Sequence, residues 1–413
     1  MYPWLPSVIQ KLIWENVKVK DLADHISRVH ELEISQRSIE RIKQQCNIMT
    51  ARRNNGDETL WAAAIAQKQD EIDPLRRMGI RELQDALRED HVMIPRAFIE
   101  SFARVTEPQA VASRSASYRK KHTAGLWSIG PDEEWSFDGH EKLCKEMNLP
   151  IYCGVDKYSR FILGLYVVAR HQQPDVGAAI YALCVDKHGR SPIQSVTDMG
   201  PETSHMAVLQ RSVYARVYPG LNPDEIPPHQ FRKSTENITV ERLWRRLYEK
   251  LFSNILEIYL RGRFDAGFLQ ARPDHRVLAR WIWAQAVQKR IDEYVVQYNN
   301  HRIRSQKSNL PSGARPTDIY NNPEKYGGIR SCSKSLDSNW TKEIVERYVP
   351  SDIFQFGTDE EVAVLDAVYA AVGAPDIGVN CAWDIFRAMR PLVEFEMADF
   401  EFGQQEDNDG RDI

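Results

Sequence analysis

The chain has 413 residues, 42% of them hydrophobic and 10% aromatic, which is enough for two or three domains with real cores. Its formal net charge of −4 hides a split: residues 351–413 carry 15 acidic and 3 basic residues, leaving 51 basic and 43 acidic ones in residues 1–350. A mildly basic body with an acidic tail suits a nucleic-acid binder.

The absence of an 18-residue apolar run argues against a membrane span. The opening MYPWLPSVIQKLIWENVK lacks the basic-then-apolar plan of a secretory signal, so none is expected. Six scattered cysteines with no C-x-x-C pair indicate neither a disulfide framework nor a zinc ribbon. His25, His30 and Cys46 lack a fourth ligand at sensible spacing for zinc.

In chain order, residues 1–50 read as a helix-turn-helix-like region of three short helices, about 6–15, 20–30 and 35–45, the last opening on Ser35 as N-cap. Ile39 and Ile42 form its inner side while Arg37 and Arg41 stay outside, so Arg37 and Arg41 are candidate DNA contacts. A small bundle with a solvated third helix fits the same pattern. Residues 58–106 read as a second helical region, with Pro95 suited to a first helical position. Residues 107–130 form a basic linker in which Lys120 and Lys121, with Arg114 and Arg119, are candidates to track phosphates or simply to keep a connector solvated.

The pattern then switches to strands. WSFDG is a short strand ending at Asp138, and IYCGVD and RFILGLYVVA form a hairpin around Lys157-Tyr158-Ser159. A helix over 173–187, a strand over 193–197 ending at Asp198, and a helix over 205–217 follow, then a proline-rich loop. Three strands, helix, strand, helix describes an α/β domain with a mixed sheet. In KSTENITVERLWRRLYEKL, Val240, Leu243, Trp244, Leu247 and Leu251 share one helical stripe, while Arg242, Arg245, Arg246 and Lys250 cover much of the rest. Glu241 sits at the stripe's edge near the helix start; alone it also reads as an ordinary i,i+4 partner of Arg245. A long helix over about 275–299 ends in a basic loop containing Arg302 and Arg304. Residues 131–328 therefore read as the core, 329–402 as a region without an assigned role, and 403–413 as an acidic disordered tail.

Asp138 and Asp198 at strand ends and Glu241 early on a helix can meet at one sheet edge. Three carboxylates together repel unless a cation lies between them. Hard oxygen ligands suit Mg²⁺ or Mn²⁺, and two such ions clamp a phosphodiester. Glu236 is a rival for the third position, and Asp156 reads better as a turn cap.

Taken in order, WSFDGHEKL, IYCGVDKYSRFI, SVTDMGPETS, STENITVERLWRRL and QYNNHRIRSQ with PSGARPTDIY resemble the integrase core of retroviral-type integrases and DDE transposases, in particular fungal integrase-core proteins. Gly130, Pro131, Trp135, Asp138 and Gly139 match the GP-x-x-x-W-x-x-DG opening. The resemblance implies an RNase H-like fold, two divalent metals, Mg²⁺ or Mn²⁺, held by Asp138, Asp198 and Glu241, and DNA end processing with strand transfer. It implies DNA partners, a homo-oligomer in the active complex and a nuclear location. Arg242, Arg245, Arg246, Arg302 and Arg304 become candidate phosphate contacts. The second block departs from the usual T-D-x-G-x-E-N at Met199 and Thr203, while Glu202 is kept; 42 residues separate Asp198 from Glu241, more than in retroviral integrases. A silent, domesticated DNA-binding copy and a plain metal-dependent nuclease are the alternatives.

Overall fold

Five short strands rich in Val, Ile, Tyr and Phe organise the centre: β1 Glu134–His140, β2 Ile151–Asp156, β3 Ile162–Val167, β4 Gln194–Thr197 and β5 His229–Phe231. The structure is a computed structural model that describes residues 2–51, 56–113, 126–140, 146–169, 173–200, 203–233, 237–306, 309–329, 332–398 and 400. The sheet order is β3-β2-β1-β4-β5. β1 and β3 flank β2 antiparallel, and β4 lies parallel to both β1 and β5. This mixed sheet with helices on both faces is the RNase H-like architecture expected.

Two strand boundaries differ from expectation. β1 does not end at Asp138; it runs to His140, because antiparallel pairing continues through His140 opposite Ile151, whereas its ladder with β4 is recorded only as far as Ser136 opposite Val196. β5 was not expected: His229-Gln230-Phe231 follows two prolines, and only pairing against β4 makes it a strand.

Before the sheet, α1 Leu5–Trp14, α2 Leu22–His30 and α3 Gln36–Gln45 bury Ile9, Leu22, Ile26 and Ile39 in one small core. Ser35 caps α3 as its sequence predicts, its hydroxyl accepting from the Ser38 amide at 3.2 Å. A second small core joins α4 Glu58–Ile72, α5 Ile80–Glu89 and α6 Arg96–Thr106, and α7 Pro108–Ser113 follows.

After β3, α8 Pro174–His188 and α9 Ser204–Val217 cover the sheet face to which Trp135, Phe137 and Tyr152 point. The other face carries Cys153 and Val155 beneath α10 Ile238–Leu247, α11 Ser253–Gly262 and α12 Pro273–Asn300, followed by α13 Pro316–Asn321. A five-residue π-helical turn, Tyr248–Phe252, joins α10 to α11, so the helix that begins at Ile238 continues to Gly262. The apolar stripe of α10 is buried as its spacing predicts.

Beyond residue 329, where the sequence shows little pattern, three helices form: α14 Ser338–Tyr348, α15 Asp359–Ala371 and α16 Ala382–Glu396. Ile344 of α14 joins the α8 side, while Leu365 of α15 and Trp383 and Phe386 of α16 join the α12 side. These helices extend the central cores rather than enclosing a core of their own. The expected tail at 403–413, Lys120 and Lys121 with Arg114 and Arg119, Glu202 and Glu236 all lie outside the described residues.

Candidate active site

The site is built by pinning α10 across β1. Asn237, just before α10, is buried, and its side-chain amide donates to the Phe137 carbonyl at 3.3 Å. Seven residues on, the indole N–H of Trp244 donates to Oδ2 of Asp138 at 2.8 Å. Residues at i, i+4 and i+7 share one helical face. Glu241 lies between those two anchors in sequence, in the first turn of α10 and half-buried.

Asp198 directly follows the neighbouring strand β4. β1 and β4 pair in parallel with Glu134 opposite Gln194, Trp135 opposite Ser195 and Ser136 opposite Val196, two residues before Asp138 and Asp198 respectively. Asp198 is half-buried, and burial pushes its carboxyl above the usual carboxylate range against the pull of a hydrogen bond from its own backbone N–H. The turn after it is closed by Thr203, whose hydroxyl donates to the Gly200 carbonyl at 2.6 Å.

β4 is held from below by His229 of β5. Its Nδ1 lies 2.7 Å from the Ser195 hydroxyl and its Nε2 lies 3.2 Å from that of Thr197. Burial, aided by Arg211, lowers the imidazole pKa to about 4, so His229 is neutral at pH 7 and acts as a structural crosslink.

Asp156, the other acid considered, is fully buried and accepts from the amides of Ser159 and Asp132 at 2.8 and 2.9 Å. That is the turn-capping role read from its sequence. Burial first, and then Asp132 beside it, push its carboxyl up to about 7.

The donor chemistry of Asp138, Asp198 and Glu241 suits a hard divalent cation, since all are carboxylates: Asp138 lies in β1, Asp198 directly after β4 and Glu241 in α10. Among the described residues no three His, Cys, Asp or Glu side chains are gathered as a metal site.

The basic candidates divide into two groups. Arg242 and Arg245 on α10, Arg304 in the loop after α12, and Arg37 and Arg41 on α3 are exposed. Arg246 is committed elsewhere. It donates to Oε1 of Glu82 at 2.7 Å and its guanidinium stands 5.0 Å from the centre of the Tyr298 ring. Arg302 donates to the Asn16 carbonyl at 2.8 Å, and burial lowers its pKa. The reason is tertiary: α5 and the end of α1 pack beside α10 and the loop after α12, and these cations satisfy them.

The spacing of Trp244 places it on the apolar stripe and does not announce its polar contact with β1, nor that of Asn237. The signal was available: an indole or amide on an otherwise apolar face, in phase with an acid, needs a hydrogen-bond partner.

Comparison with known proteins gives one family match. Residues 128–323 match the family described as "Integrase core domain". No curated protein matches the chain. Among solved structures, the chain is similar to one from the simian T-cell lymphotropic virus intasome in complex with PP2A regulatory subunit B56 gamma, at 12% identity and a TM-score of 0.30, covering 56% of this chain and 73% of that one. The segment that carries Asp138, Asp198 and Glu241 thus lies within the stretch similar to the family described as "Integrase core domain".

Proposed function

We propose that this protein is a DDE-type recombinase that cuts DNA ends and joins them to a target strand, with Asp138, Asp198 and Glu241 as the carboxylates that hold two divalent ions, Mg²⁺ or Mn²⁺. The observation that supports the reading is the pinning of α10 on β1 by Asn237 and Trp244, which flank Glu241 in sequence, the second of them bonding Asp138 itself. Integrase cores are polynucleotidyl transferases, and end cleavage and strand transfer are one displacement at phosphorus with different attacking oxygens, water or a DNA 3′-hydroxyl. When bound, the ions would activate the attacking oxygen and stabilise the leaving one.

The chain's own residues supply the scaffold and the charge. In this reading β1 and the residue after β4 supply two carboxylates, α10 supplies the third, and the exposed Arg242, Arg245 and Arg304 offer phosphate contacts. Arg37 and Arg41 on α3 are the proposed contacts of a separate DNA-reading surface. Lys120 and Lys121 extend the proposed DNA path along the linker. A homo-oligomer, needed to bring two DNA ends together, and a nuclear location belong to the same reading.

A second reading is a catalytically silent, DNA-binding copy. It is favoured by the contacts that occupy Asp138, Arg246 and Arg302. The test is a strand-cleavage and strand-joining assay on mixed-sequence and end-mimicking duplexes, with Mg²⁺ or Mn²⁺ at low salt. Metal-dependent joined products that fall more than ~100-fold in Asp198→Asn and Glu241→Gln carry the proposal. DNA binding without product selects the silent copy, and cleavage without joining selects a plain nuclease.

A further inference from the structure

The turn between β2 and β3 leaves one cation unanswered. Arg160 stands there at φ +61°, a backbone region that a non-glycine residue seldom occupies. The surroundings hold it in place. Its amide donates to the Asp156 carbonyl at 2.9 Å. Two residues on, the Ile162 amide donates to Oδ1 of Asn299 at 2.9 Å, and the Ile162 carbonyl accepts from Nδ2 at 3.0 Å, which ties the turn to the end of α12. Nε and Nη2 of Arg160 are buried, and neither has a hydrogen-bond partner. In a guanidinium these two N–H groups point the same way, as the fork that matches two oxygens of a carboxylate or a phosphate. No carboxylate among the described residues fills it. Asp156, at the other end of the turn, already accepts from Ser159 and Asp132.

The neighbours add charge of the same sign. Arg242 on α10 is exposed and forms no ion pair among the described residues. The Arg160 pKa is lowered, chiefly by burial, and Arg242 is close enough to add to that effect. Tyr298, also beside Arg160, is the ring that the Arg246 guanidinium faces at 5.0 Å. Arg242 and Arg246 are four residues apart and share one face of α10. Of these three arginines, only Arg246 is bonded to a carboxylate among the described residues, and that carboxylate, Glu82, is shared with Lys250. Burying unpaired guanidinium N–H groups is costly, and an oxyanion relieves the cost by supplying both acceptors and opposite charge. We infer that the β2–β3 turn and α10 form a phosphate site, in which the Arg160 fork grips two oxygens and Arg242 meets a third, and that its occupant is a backbone phosphate of bound DNA. Arg160 as a whole is part-exposed, so rotation about its outer torsions turns the fork to solvent. The identity of the occupant rests on the DNA-binding reading; the anion site itself does not.

The experiment uses the full chain without divalent metal, as wild type, Arg160→Gln and Arg242→Gln, in two arms. One arm adds inorganic phosphate and reads the rise in Tm over sodium chloride at equal ionic strength. The other measures affinity for a mixed-sequence DNA duplex across a salt series. Phosphate should raise the Tm of the wild type, as any ligand of the native state does, and the rise should be lost in Arg160→Gln. In the DNA arm the slope of log K against log salt should fall by about 0.9 in that variant, with about an eightfold loss of affinity near 0.1 M salt. A purely structural Arg160 would lower Tm yet leave the phosphate-dependent rise and the salt slope as in wild type, and that result overturns the site. A rise lost in Arg160→Gln with an unchanged slope keeps the anion site and overturns its occupation by DNA. A lowered slope without any rise shows that the site takes only the phosphate of the polymer, and supports the proposal. A wild type that binds no duplex overturns the DNA-binding reading and the occupant with it, while the phosphate arm still decides the site. If Arg160→Gln does not fold, Arg242→Gln decides from its exposed position: a lost rise or a lowered slope supports the site, and neither change overturns it.

Discussion

Glu82 ties the helical region before the core to α10, and its removal is a demanding test of the charge arrangement. It accepts from the Gly79 amide at 2.7 Å and from Arg246 at 2.7 Å, and its second oxygen lies 3.1 Å from Nζ of Lys250. Although burial alone would raise its pKa, Arg246 and then Lys250 hold it down from 4.5 to about 2. A shift of that size corresponds to ~3 kcal/mol. The Arg246 side chain is 36% exposed, so solvent screening reduces the figure, and we expect Glu82→Gln to lose ~1–2 kcal/mol at pH 7. The sign follows from linkage: a carboxylate with a depressed folded pKa contributes its stability above the unfolded value, near 4.5, and loses it as pH falls toward about 2. The assay is urea unfolding of wild type, Glu82→Gln, Arg246→Met and the double variant at pH 7, repeated toward pH 3. The pair should show a coupling of about 1 kcal/mol that shrinks with acid and with salt. A coupling near zero, or one indifferent to pH, would refute an electrostatic tie between α5 and α10.

Three further outcomes follow from the same geometry. Asp156, whose pKa is raised to about 7 by burial, penalises the folded state increasingly as pH rises from about 4 to about 7. Asp156→Asn should therefore lose less stability than wild type over that interval, in parallel urea titrations. Arg37→Ala and Arg41→Ala should each weaken DNA binding similarly across sequences and lower the salt slope by about 1; Arg246→Ala should instead lower stability with little change in slope, as filter binding at several salt concentrations will show. Gly154 faces the Phe137 ring, and a Cβ there would lie 2.6 Å from it. Gly154→Ala should cost ~1–3 kcal/mol in thermal or urea unfolding.

Much of the centre was legible in the chain itself, because local pattern and burial agree there. The apolar stripe of α10, the capped start of α3, the hairpin turn under Asp156 and the order of strands and helices all reflect short-range spacing that water enforces on any fold. The settings of two candidate acids were legible too: Asp198 follows its strand directly and Glu241 lies in the first turn of its helix. Tertiary contact decided the rest. β5 exists only because β4 offers it an edge, and β1 passes Asp138 only because β2 pairs with it to His140. The helices after residue 329 become part of the cores by packing on α8 and α12, which no local period announces. Whether an arginine is free for phosphate or held by Glu82 or Asn16 depends on residues more than 160 positions away. Sequence spacing determines which side of an element a residue occupies; long-range contacts decide what that side meets, and at α10 that difference separates an ordinary surface helix from one pinned to β1 at Phe137 and Asp138.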